Sequence, residues 1–173
     1  MGAQGVGPGP WLRGRRRAAG EVGVSREYGA AASVQKRSAG AAGLRHIQQR
    51  NQRDCGVAAA AMLAGVSYAR AARVYPRSRP RDGLQAMEVA VILRLLTGRL
   101  VRLSGAAEGW SLRAWPGLPD PAIVLIHEPG STRGHYVVVA GGRIYDPEQA
   151  DGTALTEYAH ADWSISRVLT LEG

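Results

Sequence analysis

Apolar positions along this chain follow two rhythms, one helical and one alternating. From Cys55 to Ala64 they run almost without a break, as Cys-Gly-Val-Ala-Ala-Ala-Ala-Met-Leu-Ala, and stop at Gly65. That run predicts a helix, because Ala is the strongest helix former and a Gly just past the last turn ends one. Its small side chains predict a central element that others approach closely. Asp54 is expected to cap it, its carboxylate accepting from an orphan N–H of the first turn. Residues 67–74 predict a second, short helix closed by Pro76. After a polar loop at 77–81, a third helix is expected to open at Asp82 or Gly83. Leu84, Met87, Val91, Leu95 and Leu96 mark its apolar face, and Gly98 ends it.

The rhythm then changes. Residues 100–103 predict a short strand, 110–115 a turn or loop, and 122–127 a buried strand. Val-rich 135–140 and the short 143–145 read as a hairpin, since Gly141-Gly142 supplies a two-residue turn that tolerates positive φ at both positions. Residues 168–171 predict a last strand. Helices first and antiparallel strands afterwards argue for an α+β fold rather than a doubly wound sheet.

Composition adds boundaries. Residues 1–43 are rich in Gly, Ala and Arg and show no sustained period, so they are expected to be a disordered basic segment ahead of a single domain at 44–173. Of the net charge of +8, this segment carries +5, leaving +3 for the rest. The basic character is thus partly that of a solvated tail, and with no aromatic-basic RNA motif, nucleic acid is not the expected partner. No apolar run approaches the ~20 residues a membrane helix needs, so a cytoplasmic protein without a membrane span is expected. The chain has one cysteine, which excludes an internal disulfide and a Cys-rich zinc site. HExxH, phosphate-loop and dinucleotide motifs are missing, and no metal or cofactor is expected.

That lone cysteine opens the first predicted helix. The partial positive charge there stabilises a thiolate, the nucleophilic form. An inert buried thiol more naturally sits mid-helix. His135 begins the Val-rich strand behind Gly134 and is placed to project from the sheet edge as a general base. His127 is the reserve for that role. Asp146, at the far end of the same hairpin, is placed to orient an imidazole, though Asp-Pro is also an ordinary turn starter. A glutamine amide ahead of the cysteine can donate to an oxyanion together with the Cys55 backbone N–H. Spacing does not choose among Gln48, Gln49 and Gln52.

The run Gln49-x-x-x-x-Asp54-Cys55-Gly56-x-Ala58, followed by Met62-Leu63, resembles the opening motif of the bacteriocin-processing peptidases. These are papain-like cysteine peptidases that cut leader peptides after a double glycine, usually as the N-terminal domain of ABC exporters. Gly134-His135-Tyr136-Val137-Val138 and Asp146-Pro147 resemble the family's His and Asp motifs, and the likeness covers about residues 44–150. It implies a papain-like fold, with the Cys helix of a helical lobe packed on an antiparallel sheet that carries His and Asp. It also implies Cys55 as nucleophile, His135 as base, Asp146 as orienting acid and Gln49 as oxyanion donor. The expected partner is a peptide or protein substrate, with an exporter as a separate protein. The same residues would also suit a transamidase or deamidase, and the same fold a silent peptide-binding module.

Overall fold

The computed structural model describes residues 43–74, 83–105 and 109–173, all within the unit Arg37–Gly173. The expectation for 1–43 therefore lies, Gly43 aside, outside the described residues, as do those for Pro76, 77–81 and Asp82. Among the described residues three helices come first: α1 (Cys55–Ala64), α2 (Tyr68–Val74) and α3 (Ala86–Thr97). Six strands follow: β1 (Val101–Gly105), β2 (Ala122–His127), β3 (Gly134–Ala140), β4 (Arg143–Tyr145), β5 (Thr153–Ala154) and β6 (Ser164–Leu171). They form one sheet in the order β1-β6-β2-β3-β4-β5, and every neighbouring pair is antiparallel. The α+β order read from the sequence is the observed one. No single helix among the described residues is long and apolar enough to cross a membrane.

Helix α1 is buried along nearly its whole length, and Ala58, Ala59, Ala60 and Ala61 are fully inaccessible. Gly65 ends it in the left-handed conformation (φ 66°). The N–H of Gly65 reaches the Met62 carbonyl and that of Val66 the Ala61 carbonyl, which satisfies two orphan carbonyls of the last turn. The start differs from the sequence expectation. Asp54 is the cap residue by backbone, its carbonyl accepting from the Ala58 N–H, but its side chain makes no capping bond. Instead Oδ2 accepts from the Asn51 side-chain amide (2.5 Å) and the Tyr68 hydroxyl (2.6 Å). A buried carboxylate must be hydrogen-bonded, and two side-chain donors from the flanking loop and α2 hold it away from the helix axis.

Helix α3 also departs from expectation. It begins at Ala86, with Gln85 as N-cap in a reciprocal capping box with Glu88, and ends at Gly98 as predicted. Its buried face is Val89, Ala90, Ile92 and Leu93, while Met87, Val91 and Leu95 are exposed. The sequence is apolar nearly all round, so a period of 3.6 fits two faces equally. On a helical wheel Glu88 and Arg94 bracket Met87, Val91 and Leu95, and this polar bracket marks the outer side. Leu84 and Leu96 pack against the core from the helix ends, as expected.

The sheet separates two hydrophobic clusters. One lies between α1, α3 and the face carrying Ile123, Tyr136, Val138 and Leu169. The other fills the opposite face, with Val124, Ile126, Val137, Val139, Ile144 and Val168 under Leu112 and Tyr158. The 110–115 segment is a turn that joins the sheet margin by a single Ser111–Ser164 bridge. Strand β6 starts at Ser164, four residues before the predicted 168, and bulges against β2 between Leu125 and Ile126. The Gly141-Gly142 turn has φ of 61° and 71°, the hairpin geometry expected from two positive-φ residues. The exposed Asp120 carboxylate accepts both of their N–H groups (2.9 and 3.1 Å).

Candidate active site

Three elements converge at one end of the sheet. Helix α1 delivers Cys55 at its first residue, 8 % exposed. Strand β3 delivers His135 just past its start, and the turn after β4 delivers Asp146. The β3–β4 register pairs Val138 with Tyr145. Carried one step on, it sets Asp146 opposite Val137, on the face of His135 and diagonal to it. Diagonal neighbours lie within reach of long side chains. His135 Nε2 and Asp146 Oδ1 are 2.7 Å apart, with the His side chain 13 % exposed and the Asp side chain 3 %. Cys55 lies close enough to the same imidazole to favour its protonated form.

The helix start can come this close because residue 56 has no side chain. A Cβ on Gly56 would lie 2.9 Å from Val89 Cγ2 and 3.2 Å from Tyr136 Cδ2. Gly134 serves β3 in the same way, since a Cβ there would meet Leu125 Cδ1 at 2.6 Å and His127 Cε1 at 3.0 Å.

Electrostatics follow from this packing. Burial alone would push the His135 imidazolium down. The hydrogen bonds and charges of Asp146 and Cys55 outweigh it and push it up to about 10. Burial likewise opposes charge on Asp146, yet His135, the Glu148 backbone N–H and the Tyr158 hydroxyl hold it below the usual carboxylate range. Burial, and then the charge of Cys55, push the Tyr136 phenol up. That phenol donates to the Leu84 carbonyl (3.0 Å) and ties β3 to the segment ahead of α3.

Gln49 is hydrogen-bonded to the Asp146 turn. Its backbone N–H donates to the Pro147 carbonyl (2.9 Å), and its side-chain Nε2 to Glu148 Oε1 (3.2 Å). Its Oε1 is buried without a hydrogen-bond partner among the described residues. The amide is thus docked beside the acid of the site with half of its bonding capacity unused. His127, the reserve base, faces Ser166 Oγ at 2.9 Å and touches no carboxylate among the described residues. The strand alternation turns it to the face opposite His135.

Sequence reasoning missed two residues at the site. Tyr158 donates its hydroxyl to Asp146 Oδ2 (2.7 Å). His46 grips the backbone of the same turn, Nε2 on the Asp146 carbonyl (2.9 Å) and Nδ1 on the Ala150 carbonyl (2.7 Å). Neither had a local signal, because each meets Asp146 from a distant place in the sequence, 12 residues away for Tyr158 and 100 for His46. No group of three or more His, Cys, Asp or Glu that could hold a metal occurs among the described residues.

No family model and no curated protein matches the chain. Among solved structures it is similar to the peptidase domain of Streptococcus ComA, a bifunctional ABC transporter involved in a quorum-sensing pathway. The TM-score is 0.54 at 22 % identity, over 75 % of this chain and 98 % of that domain. The chain has the fold of that peptidase domain.

Proposed function

We propose that this chain is a papain-like thiol peptidase whose catalytic domain spans residues 44–173. The observation that carries this reading is the 2.7 Å His135–Asp146 pair, with Cys55 at a helix N-terminus and close enough to favour the protonated imidazole. A carboxylate on Nε2 fixes the ring and favours its protonated form, while Nδ1 exchanges a proton with the thiol. The Cys55 thiolate attacks the peptide carbonyl carbon and forms a C–S bond. Gln49 and the Cys55 backbone N–H receive the oxyanion, the Gln49 amide turning away from Glu148 to do so. As the intermediate collapses, the C–N bond breaks and His135 passes its proton to the departing amine. His135 then takes a proton from water, whose oxygen attacks the thioester, and the acid leaves as the thiol is restored.

The proposed substrate is a peptide cut after a Gly-Gly leader, with an exporter as a separate partner on the cytoplasmic side of a membrane. The motif resemblance and the ComA-like fold support this. The test is incubation with a set of peptides carrying Gly-Gly leaders, read by mass spectrometry, with wild type and Cys55→Ala compared. Cleavage by wild type alone is expected. Equal cleavage by Cys55→Ala would end the thiol assignment. Binding without cleavage by wild type would favour a silent peptide-binding module.

A further inference from the structure

Tyr158 lies outside every sequence motif of the proposed site, yet its hydroxyl ends on the acid of that site. We infer that Tyr158 is a positioning residue, its hydroxyl held on Oδ2 so that the Asp146 carboxylate is locked with Oδ1 turned to His135. The inference rests on the peptidase reading and extends it to a fifth side chain.

The carboxylate of Asp146 has three donors from three places in the chain. Oδ1 takes His135 Nε2 from β3 (2.7 Å) and the Glu148 N–H from its own turn (2.8 Å). Among the described residues, Oδ2 takes only the Tyr158 hydroxyl (2.7 Å). Without that donor, Oδ2 would be a buried charged oxygen with no partner, and the carboxylate could satisfy itself by rotating away from His135. Tyr158 is well suited to hold it. It is 1 % exposed, it lies in the cluster under the far face of the sheet, and His160 packs edge-on against its ring at 5.5 Å. A ring fixed on all sides can present its hydroxyl at one point only. The titratable groups around Asp146 are His135, Tyr158, Glu148 and, on its backbone carbonyl, His46. Burial, then Asp146 and then Glu148 push the Tyr158 phenol up, so it remains a donor throughout the working range.

The test is Tyr158→Phe, which keeps the ring and removes only the oxygen. Its readout is the pH profile of Cys55 alkylation by iodoacetamide. Asp146 then loses a donor that favours its charge and protonates at higher pH, which weakens the imidazolium beside Cys55. The acid limb of the profile should move up by about one pH unit, the scale of one charge-assisted hydrogen bond. Ile165→Val trims the same cluster without touching Asp146 and should leave the limb where it is. A Tyr158→Phe profile that overlays wild type overturns the inference, as does an equal shift in Ile165→Val. If His135→Ala leaves the wild-type profile unmoved, the peptidase reading itself fails and the inference falls with it. A second measurement needs no variant. The Tyr158 hydroxyl proton, buried on a carboxylate, should give a slowly exchanging proton resonance with a cross-peak to its own ring. A hydroxyl that exchanges as fast as that of a free phenol overturns the inference.

Discussion

His135 and Asp146 meet at 2.7 Å across a hairpin whose turn is only Gly141-Gly142. So tight a turn leaves the register of β3 and β4 almost no freedom. The relation of His135 to Asp146 is therefore set by backbone pairing before any side chain chooses a rotamer.

The pair makes stability depend on pH from both sides. His135 is pushed up to about 10 in the folded protein, above the ordinary imidazole value near 6.5. Its contribution is full below about 6.5 and is lost as pH rises toward 10. Asp146 is held below its ordinary range, so its contribution is present above about 4 and is lost on further acidification. Thermal unfolding should therefore show its highest Tm between about pH 4 and 6.5. His135→Ala should flatten the decline on the alkaline side. An alkaline slope unchanged in that variant would place its origin elsewhere.

Gln49 holds its place through its backbone and carries its proposed role through its side chain. Gln49→Ala should keep the Pro147 hydrogen bond and leave the alkylation profile of Cys55 unaltered. Turnover should fall by about 10²–10³-fold, the usual loss for one oxyanion donor. An equal fall in alkylation would make Gln49 a support for the thiol instead.

Gly56 is where packing and chemistry meet. Gly56→Ala drives a methyl into Val89 and Tyr136 and should cost about 1–3 kcal/mol, the range for overpacking a tight core. Chemical denaturation measures the loss. A neutral substitution would mean that α1 and β3 are less closely apposed than described.

The two faces of α3 should respond differently. Ile92, fully buried, should lose about 2–5 kcal/mol on change to Ala. Leu95→Gln on the exposed face should stay within about 0.5 kcal/mol. Reversed costs would restore the face that periodicity alone suggested.

Much of this was legible in the sequence because local rules coincide there. The Ala run with Gly65, the Gly141-Gly142 turn and the valines of β3 each fix an element by backbone preference, and together they specify an α+β order. Cys55, His135 and Asp146 stood out because each sits at an element boundary. What was not legible depends on partners distant in sequence. The Asp54 carboxylate looked like a cap until Tyr68 took it. The α3 face was decided by α1 and the sheet, not by its own period. Tyr158 and His46 reach Asp146 over 12 and 100 residues, and no pattern in either neighbourhood points there.

The most direct test of the central claim is the rate of Cys55 alkylation by iodoacetamide as a function of pH, in wild type and in His135→Ala. The expected result is fast reaction in wild type well below pH 8.5, where an ordinary thiol is mostly protonated, with that advantage gone in the variant. A wild-type rate that rises only near pH 8.5 and is the same in both proteins would contradict a Cys55–His135 pair, and with it the thiol peptidase.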